Sequence, residues 1–289
     1  MFIDLKKISF TYNLNMPFEK EVLKDVNISI SDGEFIGIIG HTGCGKTTLL
    51  QVLNGLLEPT KGEIYIDNVN IHSNKKILKD VRKKIGLSFQ YPENQIFEET
   101  IFKEVSFGLK NLGCKEEFLE ENVKKALEMV DLNYEYYRNR LPFNLSGGEM
   151  RRVAIASILA LSPEVIILDE PTASLDPQSR NIILKLIKKL HDCHKKTIIM
   201  VSHNMEVIAE MTKRVIVMEN GKIVLDKKTR EIFRDNSAEL EKIGLALPQI
   251  TKIMYDLKKM GKPVDINNIL TIEEAKEEIL RLRKNNEIF

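Results

Sequence analysis

Eight consecutive residues, Gly40-His41-Thr42-Gly43-Cys44-Gly45-Lys46-Thr47, satisfy the pattern GxxxxGK[ST], whose spacing can cradle phosphates. Glycines let successive backbone N–H groups converge on phosphate oxygens at a helix N-terminus. A lysine beside them meets the β and γ oxygens, and a following hydroxyl ligates Mg²⁺. Lys46 and Thr47 hold those two places, with Thr48 next in line. A second constellation, Val165-Ile166-Ile167-Leu168-Asp169-Glu170, is an apolar strand ending in two carboxylates. At the C-terminal edge of a sheet, where ligands bind, the two acids can divide the work. Asp169 would hold Mg²⁺ while Glu170 polarises the water that attacks a γ-phosphate. A solvated strand end would explain this run by itself; joined to the phosphate loop it points to nucleoside triphosphate hydrolysis.

These groups need a strand, loop and helix to present them, and the surrounding pattern supplies all three. Glu34 to Ile39 reads as the strand before the loop, and Leu49, Leu50, Leu53, Leu56 and Leu57 recur at helical spacing after it, until Pro59 and Gly62. Val22, Val26, Ile28 and Ile30 share one parity, and Ser31-Asp32-Gly33 turns that run into the next strand, giving a small antiparallel sheet early in the chain. Further strands fit Glu63 to Ile66, Ile85 to Phe89, Val165 to Leu168, Thr197 to Val201, Val215 to Met218 and Ile223 to Leu225. Short strands apolar on both faces and separated by helices predict an α/β fold with a largely parallel sheet. Helices at Ile101 to Leu109, Lys115 to Val130 and Glu149 to Leu161 make residues 91–163 a helical lobe. Beyond residue 230 the strand pattern ends. Ile250, Ile253, Met254 and Leu257 form one helical face there, and Thr271 with Glu274 caps a second helix striped by Ile272, Ala275, Ile279 and Leu280.

Leu145-Ser146-Gly147-Gly148-Glu149, placed some twenty residues before the Asp-Glu strand, resembles the signature of the ABC ATPase family. The resemblance covers residues 1–230 as a nucleotide-binding domain of the P-loop fold, mixed sheet, antiparallel β subdomain and helical signature lobe included. It leaves 231–289 as a C-terminal helical dimerisation or regulatory extension. It implies ATP and Mg²⁺ as ligands, with the amides of Ser146, Gly147 and Gly148 forming a second anion site at a helix start. Residue by residue, Tyr12 is similar to the aromatic that stacks on adenine, an ordinary strand aromatic being the alternative. Gln90 resembles the glutamine that touches Mg²⁺ and attacking water, or is a polar loop residue. Asp176, in Ser174-Leu175-Asp176, resembles the loop that crosses between paired subunits, or caps the helix begun by Pro177. His203 matches the histidine that grips the γ-phosphate, against a structural histidine. Two departures stand out: Glu149 where many members carry Gln, and Cys44 where Ser is frequent. Cys44 reads as a small space-filler or as a reactive thiol activated by its loop and Lys46.

Tyr91-Pro92-Glu93-Asn94-Gln95-Ile96-Phe97-Glu98-Glu99-Thr100 and Met150-Arg151-Arg152-Val153-Ala154-Ile155-Ala156 resemble the ATPases of energy-coupling-factor (ECF) transporters, a group that includes the cobalt-import ATPases. The Phe-Glu-Glu-Thr run, the hairpin extension Asn13 to Glu21 and the segment Ile243 to Pro248 are similar to its second A-component type. The implied partners are a second ABC ATPase subunit in a homo- or heterodimer, a transmembrane T-component that receives the power stroke, and a substrate-binding S-component. Phe97 and Ile101 are candidate contacts for the membrane partner, or lobe core. The implied role is import of vitamins or transition-metal ions such as cobalt; another ABC transporter class or a soluble ABC ATPase is the alternative.

Composition agrees with a globular cytoplasmic protein. The chain has 289 residues, 43% hydrophobic and 29% charged, which excludes a disordered or disulfide-stapled chain. Its net charge of +1 gives no overall field for nucleic acid or anionic lipid. With no apolar run near the ~20 residues that cross a bilayer and no leader-like N-terminus, the expected location is peripheral, on the cytoplasmic face of the cell membrane. Cys44, Cys114 and Cys193 form no CxxC pair and suit a reducing compartment.

Overall fold

The computed structural model describes residues 1–266 and 269–284. Two sheets organise it. The smaller is antiparallel, in the order β2 (Lys20–Ile30), β1 (Ile3–Tyr12), β4 (Lys61–Ile66) and β5 (Val69–Asn70). The larger has six strands in the order β10 (Lys222–Lys228), β9 (Arg214–Glu219), β3 (Phe35–Ile39), β8 (Thr197–Val201), β7 (Val165–Asp169) and β6 (Ile85–Ser88). From β9 to β6 every pairing is parallel, and β10 joins antiparallel at one edge.

The two-face apolar character of β3, β7 and β8 has its reason in two cores that share these strands. Ile36, Ile38, Val165, Ile167, Ile199 and Val201 point into one core with the antiparallel sheet and helix α1 (Lys46–Leu53). Phe35, Ile39, Ile166, Leu168, Ile198 and Met200 point into the other, against the helical lobe and the later helices. Alternate residues therefore serve opposite faces, and all are buried.

The early strands depart from the expected hairpin. The turn at Gly33, with φ 71°, does not return β3 onto β2; it carries the chain from the small sheet into the large one. The partner of β2 is β1, joined through residues 13–19, with Tyr12 opposite Lys20. Helix α1 also stops sooner than its leucine spacing suggests: Asn54 caps it and donates its side-chain amide to the Ile85 carbonyl at 2.6 Å, while Leu56 is exposed. Between β5 and β6 lies α2 (Lys75–Lys84), a helix that periodicity did not announce.

The helical lobe comprises α3 (Ile101–Asn111), α4 (Glu116–Met129), the single turn α5 (Tyr134–Tyr137) and α6 (Gly147–Leu159). Helices α7 (Pro177–Asp192) and α8 (Met205–Met211) separate the last strands. After β10 come α9 (Thr229–Asp235), α10 (Ser237–Lys242), α11 (Gln249–Lys259) and α12 (Ile272–Lys284). Ile232, Phe233, Leu240, Leu245 and Leu247 belong to the second core, whereas Met254, Val264, Ile269, Ala275 and Leu282 form a small cluster of their own. The capping box of α12 is formed: Thr271 N–H donates to Glu274 at 3.0 Å, and Glu274 N–H donates to Thr271 Oγ1 at 3.2 Å. Its apolar stripe is not the buried face, because Ile272, Ile279 and Leu280 are exposed while Ala275 and Leu282 are covered.

Candidate active site

The phosphate loop runs from the end of β3 into the first turn of α1, so its amides lie at a helix N-terminus. Gly40 has φ 156°, and a Cβ there would meet the Met218 carbonyl oxygen at 2.4 Å and Cys44 Sγ at 2.7 Å. Only glycine lets the loop pass that close. Beside it opens a cleft of about 320 Å³ lined by Tyr12, Thr42, Gly43, Gly45, Lys46, Thr47, Thr48, Gln90, Asp169, Glu170 and His203, together with Lys20, Val22 and Val201. Eleven of the residues singled out in the sequence thus meet around one hollow.

Their contacts divide into a basic and an acidic side. Lys46 Nζ donates to the Gly40 carbonyl at 2.6 Å and to the His41 carbonyl at 3.0 Å, which holds its ammonium across the mouth of the loop. Thr47 Oγ1 donates to Asp169 Oδ2 at 2.8 Å, and Tyr12 hydroxyl lies 3.2 Å from Thr48 Oγ1. Burial raises the Asp169 carboxyl above its ordinary range, although Thr47 opposes this. Glu170 is pushed up to about 7, first by burial and then by the neighbouring Asp169 charge. Its Oε1 is buried without a hydrogen-bond partner, and His203 Nε2 stands 3.6 Å away. Burial and Lys46 lower the His203 pKa, favouring the neutral ring. Glu170 also has φ 50°, a conformation costly for a residue with a Cβ, and its N–H is tied to the Val201 carbonyl at 3.1 Å. A buried carboxyl with one oxygen left unpaired, held in strained backbone, is suited to receive a proton.

The other predicted anion site lies apart from this cleft. Ser146, Gly148 and Asp176 border a second hollow with Glu149, Arg152, Gln178, Ser179 and Ile182, while Gly147 starts α6. Ser146 accepts from Glu149 N–H at 3.3 Å and its own N–H donates to Glu149 at 2.9 Å, a complete capping box. Tyr137 donates to the same carboxylate at 2.6 Å, and these bonds hold Glu149 down at about 2. Asp176 Oδ1 accepts from Gln178 and Ser179 N–H, both at 2.9 Å, so within this chain it is the cap of α7. Within one chain, the residues of the phosphate-loop cleft and those of the Ser146 hollow do not meet.

The structure decides between alternatives at Cys44 and Ile101 and adds residues that the motifs did not point to. Cys44 is 2% exposed and burial raises its thiol pKa, which favours the space-filler over the activated thiol. Ile101 is fully buried in the lobe core and is removed from the candidate contacts, whereas Phe97 is 60% exposed and stacks edge-on against Phe107. Lys20 and Val22, which reading the motifs alone overlooked, enter the cleft because β2 pairs with β1 beside Tyr12. Also unforeseen was Arg151, which is 1% exposed and bonded to Glu93.

Comparison with known proteins agrees with this geometry. The chain matches the ABC transporter family over residues 23–173. It is 54% identical over 279 residues, 96% of each chain, to the energy-coupling factor transporter ATP-binding protein EcfA2 of Caldanaerobacter subterraneus subsp. tengcongensis. It is 51% identical over 286 residues to the protein of that name from Clostridium perfringens, covering 99% of this chain and 100% of the relative. Among solved structures it resembles cbiO1 of Clostridium perfringens, described as part of the ABC transporter complex cbiONQ, with TM-score 0.73 and 34% identity over 88% of this chain and 98% of that one. The dimeric, ADP- and Pi-bound ATP-binding cassette MJ0796 follows with TM-score 0.69 and 33% identity, over 78% of this chain and 98% of that one. With the phosphate loop, the paired acids and the capped signature helix in this arrangement, the chain belongs to the ABC transporter ATPases, in the family of energy-coupling factor transporter ATP-binding proteins.

Proposed function

We propose that this chain binds and hydrolyses ATP to power an ECF-type importer of vitamins or transition-metal ions, paired with a second ABC ATPase subunit and acting on a T-component and an S-component at the cytoplasmic face of the membrane. Among the described residues no helix is long and apolar enough to cross a membrane, so the transport path is assigned to the partners. The observation that carries the reading is the buried Glu170 carboxyl, whose Oε1 has no hydrogen-bond partner and which lines the same cleft as the phosphate loop.

In this reading Tyr12 stacks on adenine, and the amides of residues 40–48 with Lys46 bind the phosphates. Thr47 Oγ1 and Asp169 Oδ2, hard oxygens 2.8 Å apart, fit Mg²⁺, with Gln90 a third donor at the cleft wall. When bound, Mg²⁺ supplies charge neutralisation to the β and γ oxygens. Glu170 accepts the proton of the attacking water, and His203 donates a hydrogen bond to the γ-phosphate. Ser146, Gly147 and Gly148, displaced from the cleft of their own chain, would meet the γ-phosphate bound by the partner, so ATP stabilises the closed pair through its greater affinity for that state. Hydrolysis removes the bridge. Opening then moves the membrane subunits.

The test is Glu170→Gln, which keeps the shape and loses the base. We expect ATP binding with a hydrolysis rate reduced about 10²–10⁴-fold and a persistent ATP-dependent dimer on size-exclusion chromatography. Wild-type hydrolysis by this variant would overturn the assignment.

A further inference from the structure

Arg151 is a fully buried guanidinium that lines neither the cleft nor the Ser146 hollow, yet it binds two segments whose neighbouring residues line them. From α6 it donates through Nε to Glu93 Oε2 at 3.1 Å and through Nη2 to Glu93 Oε1 and Oε2 at 2.7 and 2.9 Å. Its Nη1 donates to the Pro171 carbonyl at 3.0 Å and the Ala173 carbonyl at 2.9 Å. Each acceptor adjoins a functional position. Glu93 lies three residues beyond Gln90, in the short turn Pro92–Gln95. Pro171 follows Glu170 directly, and Ala173 precedes Ser174-Leu175-Asp176.

The backbone around this junction is held in unusual conformations. Tyr91, Glu170 and Ser174 have φ of 56°, 50° and 59°, and Tyr91 hydroxyl lies 3.4 Å from Ser174 Oγ. Such conformations persist where the surroundings over-determine them. A buried ion pair is a poor device for stability, since apolar residues of similar volume serve as well. Arginine's rigid planar fork does offer a fixed angle between acceptors on separate segments.

We propose that Arg151, clamped by Glu93, is a positioning residue that sets the Gln90 segment and the Glu170–Asp176 loop in one register with the signature helix, so that the groups acting on the γ-phosphate move as a unit. This rests on the ATPase reading above. It assigns the pair no contact with nucleotide, so its loss should affect turnover and spare binding.

The test uses the full-length chain with its dimer partner and four variants: Glu93→Gln, Arg151→Lys, the apolar double Arg151→Met/Glu93→Leu, and Glu170→Gln as reference. Turnover and KM for MgATP are measured beside the Kd of the isolated chain for a fluorescent ATP analogue, at temperatures where circular dichroism shows each variant folded. Glu93→Gln and Arg151→Lys should lower kcat by about tenfold or more with Kd within about twofold of wild type. The apolar double should have Tm nearer wild type than either single variant, while kcat stays low. If kcat recovers together with Tm in the double, or Glu93→Gln turns over at the wild-type rate, or Kd weakens in step with kcat, the positioning role is overturned. If Glu170→Gln hydrolyses normally, the fault lies instead with the ATPase reading itself.

Discussion

Thr47 Oγ1 donates to Asp169 Oδ2 at 2.8 Å, joining the first turn of α1 to the end of β7 across 122 positions of sequence. The bond holds side by side the two hard oxygens that would hold Mg²⁺ in the proposed reaction. Thr47→Val keeps the branched shape and deletes the donor. It should raise the Mg²⁺ concentration for half-maximal hydrolysis by about tenfold or more, while ATP binding measured in EDTA changes little. An unchanged Mg²⁺ requirement would remove Thr47 from the metal site.

Glu170 titrates near 7 in the fold instead of at its ordinary 4.5, because burial and the Asp169 charge both oppose its ionisation. Between those values the native chain holds a proton that the unfolded chain has released, so this group favours the fold most at the acid end. Stability then falls as pH rises through the window. Carboxyl ¹³C shifts of glutamate-labelled protein should show one midpoint near 7 that disappears in Glu170→Gln. In Asp169→Asn the midpoint should move down, since one of the two causes is gone. Basal hydrolysis should climb over the same range, because only the ionised base accepts a proton. A midpoint at the ordinary value would remove burial as the source of its basicity.

What the sequence made legible followed from how many constraints each segment carried. The phosphate loop and the Asp169-Glu170 strand end obey chemistry and local geometry together, and both lie where their spacing put them. Strand β1 escaped notice because its buried residues change parity, Ile3 and Leu5 before Ile8 and Phe10, across Lys7 at φ 53°. In α2, six of ten residues are Lys or Arg, and only Val81 is buried, which leaves little periodic signal. The stripe on α12 misled for a different reason. Its covered face runs through Ala275, Glu278 and Leu282, with Glu278 tied down by Arg281 and the Asp265 N–H, so a charged residue takes a place on the covered face that an apolar stripe does not include. Arg151 beside Arg152 gives no hint of which is buried; the answer depends on Glu93, 58 positions away.

We propose drawing the C-terminal division, expected at residue 230, after Pro248. Phe233 is fully buried in the main core, and Ile232, Leu240, Leu245 and Leu247 accompany it, whereas the cluster around Met254 and Leu282 is separate. A chain ending at Arg230 loses those side chains, and large buried apolar groups are worth about 2–5 kcal/mol each, so it should fail to fold. A chain ending at Pro248 loses the Arg230–Glu274 ion pair and the bond from Tyr255 hydroxyl to the Arg234 carbonyl at 2.7 Å. It should fold with reduced Tm, bind nucleotide and dimerise more weakly if the extension stabilises the pair. Circular dichroism and analytical ultracentrifugation separate the two truncations; unchanged dimerisation after Pro248 would assign the extension another role.

Lys46 and Ser146 lie on separate hollows of one chain, so they should fail in different ways. Lys46 faces the phosphate cleft of its own subunit, with its ammonium on the Gly40 and His41 carbonyls at the loop mouth. Lys46→Ala removes a charge-assisted contact to phosphate and should weaken ATP binding to the isolated chain by about 10- to 100-fold. Ser146 caps α6 on the other hollow, and in the proposed pair that helix start meets the partner's nucleotide. Ser146→Arg puts a long cation where the γ-phosphate must approach the helix N-terminus. It should therefore abolish closure and hydrolysis while monomer affinity stays near wild type. Titration with a fluorescent ATP analogue below the dimerisation concentration reads the first quantity, and phosphate release at high concentration reads the second. Normal hydrolysis by Ser146→Arg, or a loss of monomer binding as severe as that of Lys46→Ala, would place the signature in the same subunit's site and contradict the paired mechanism.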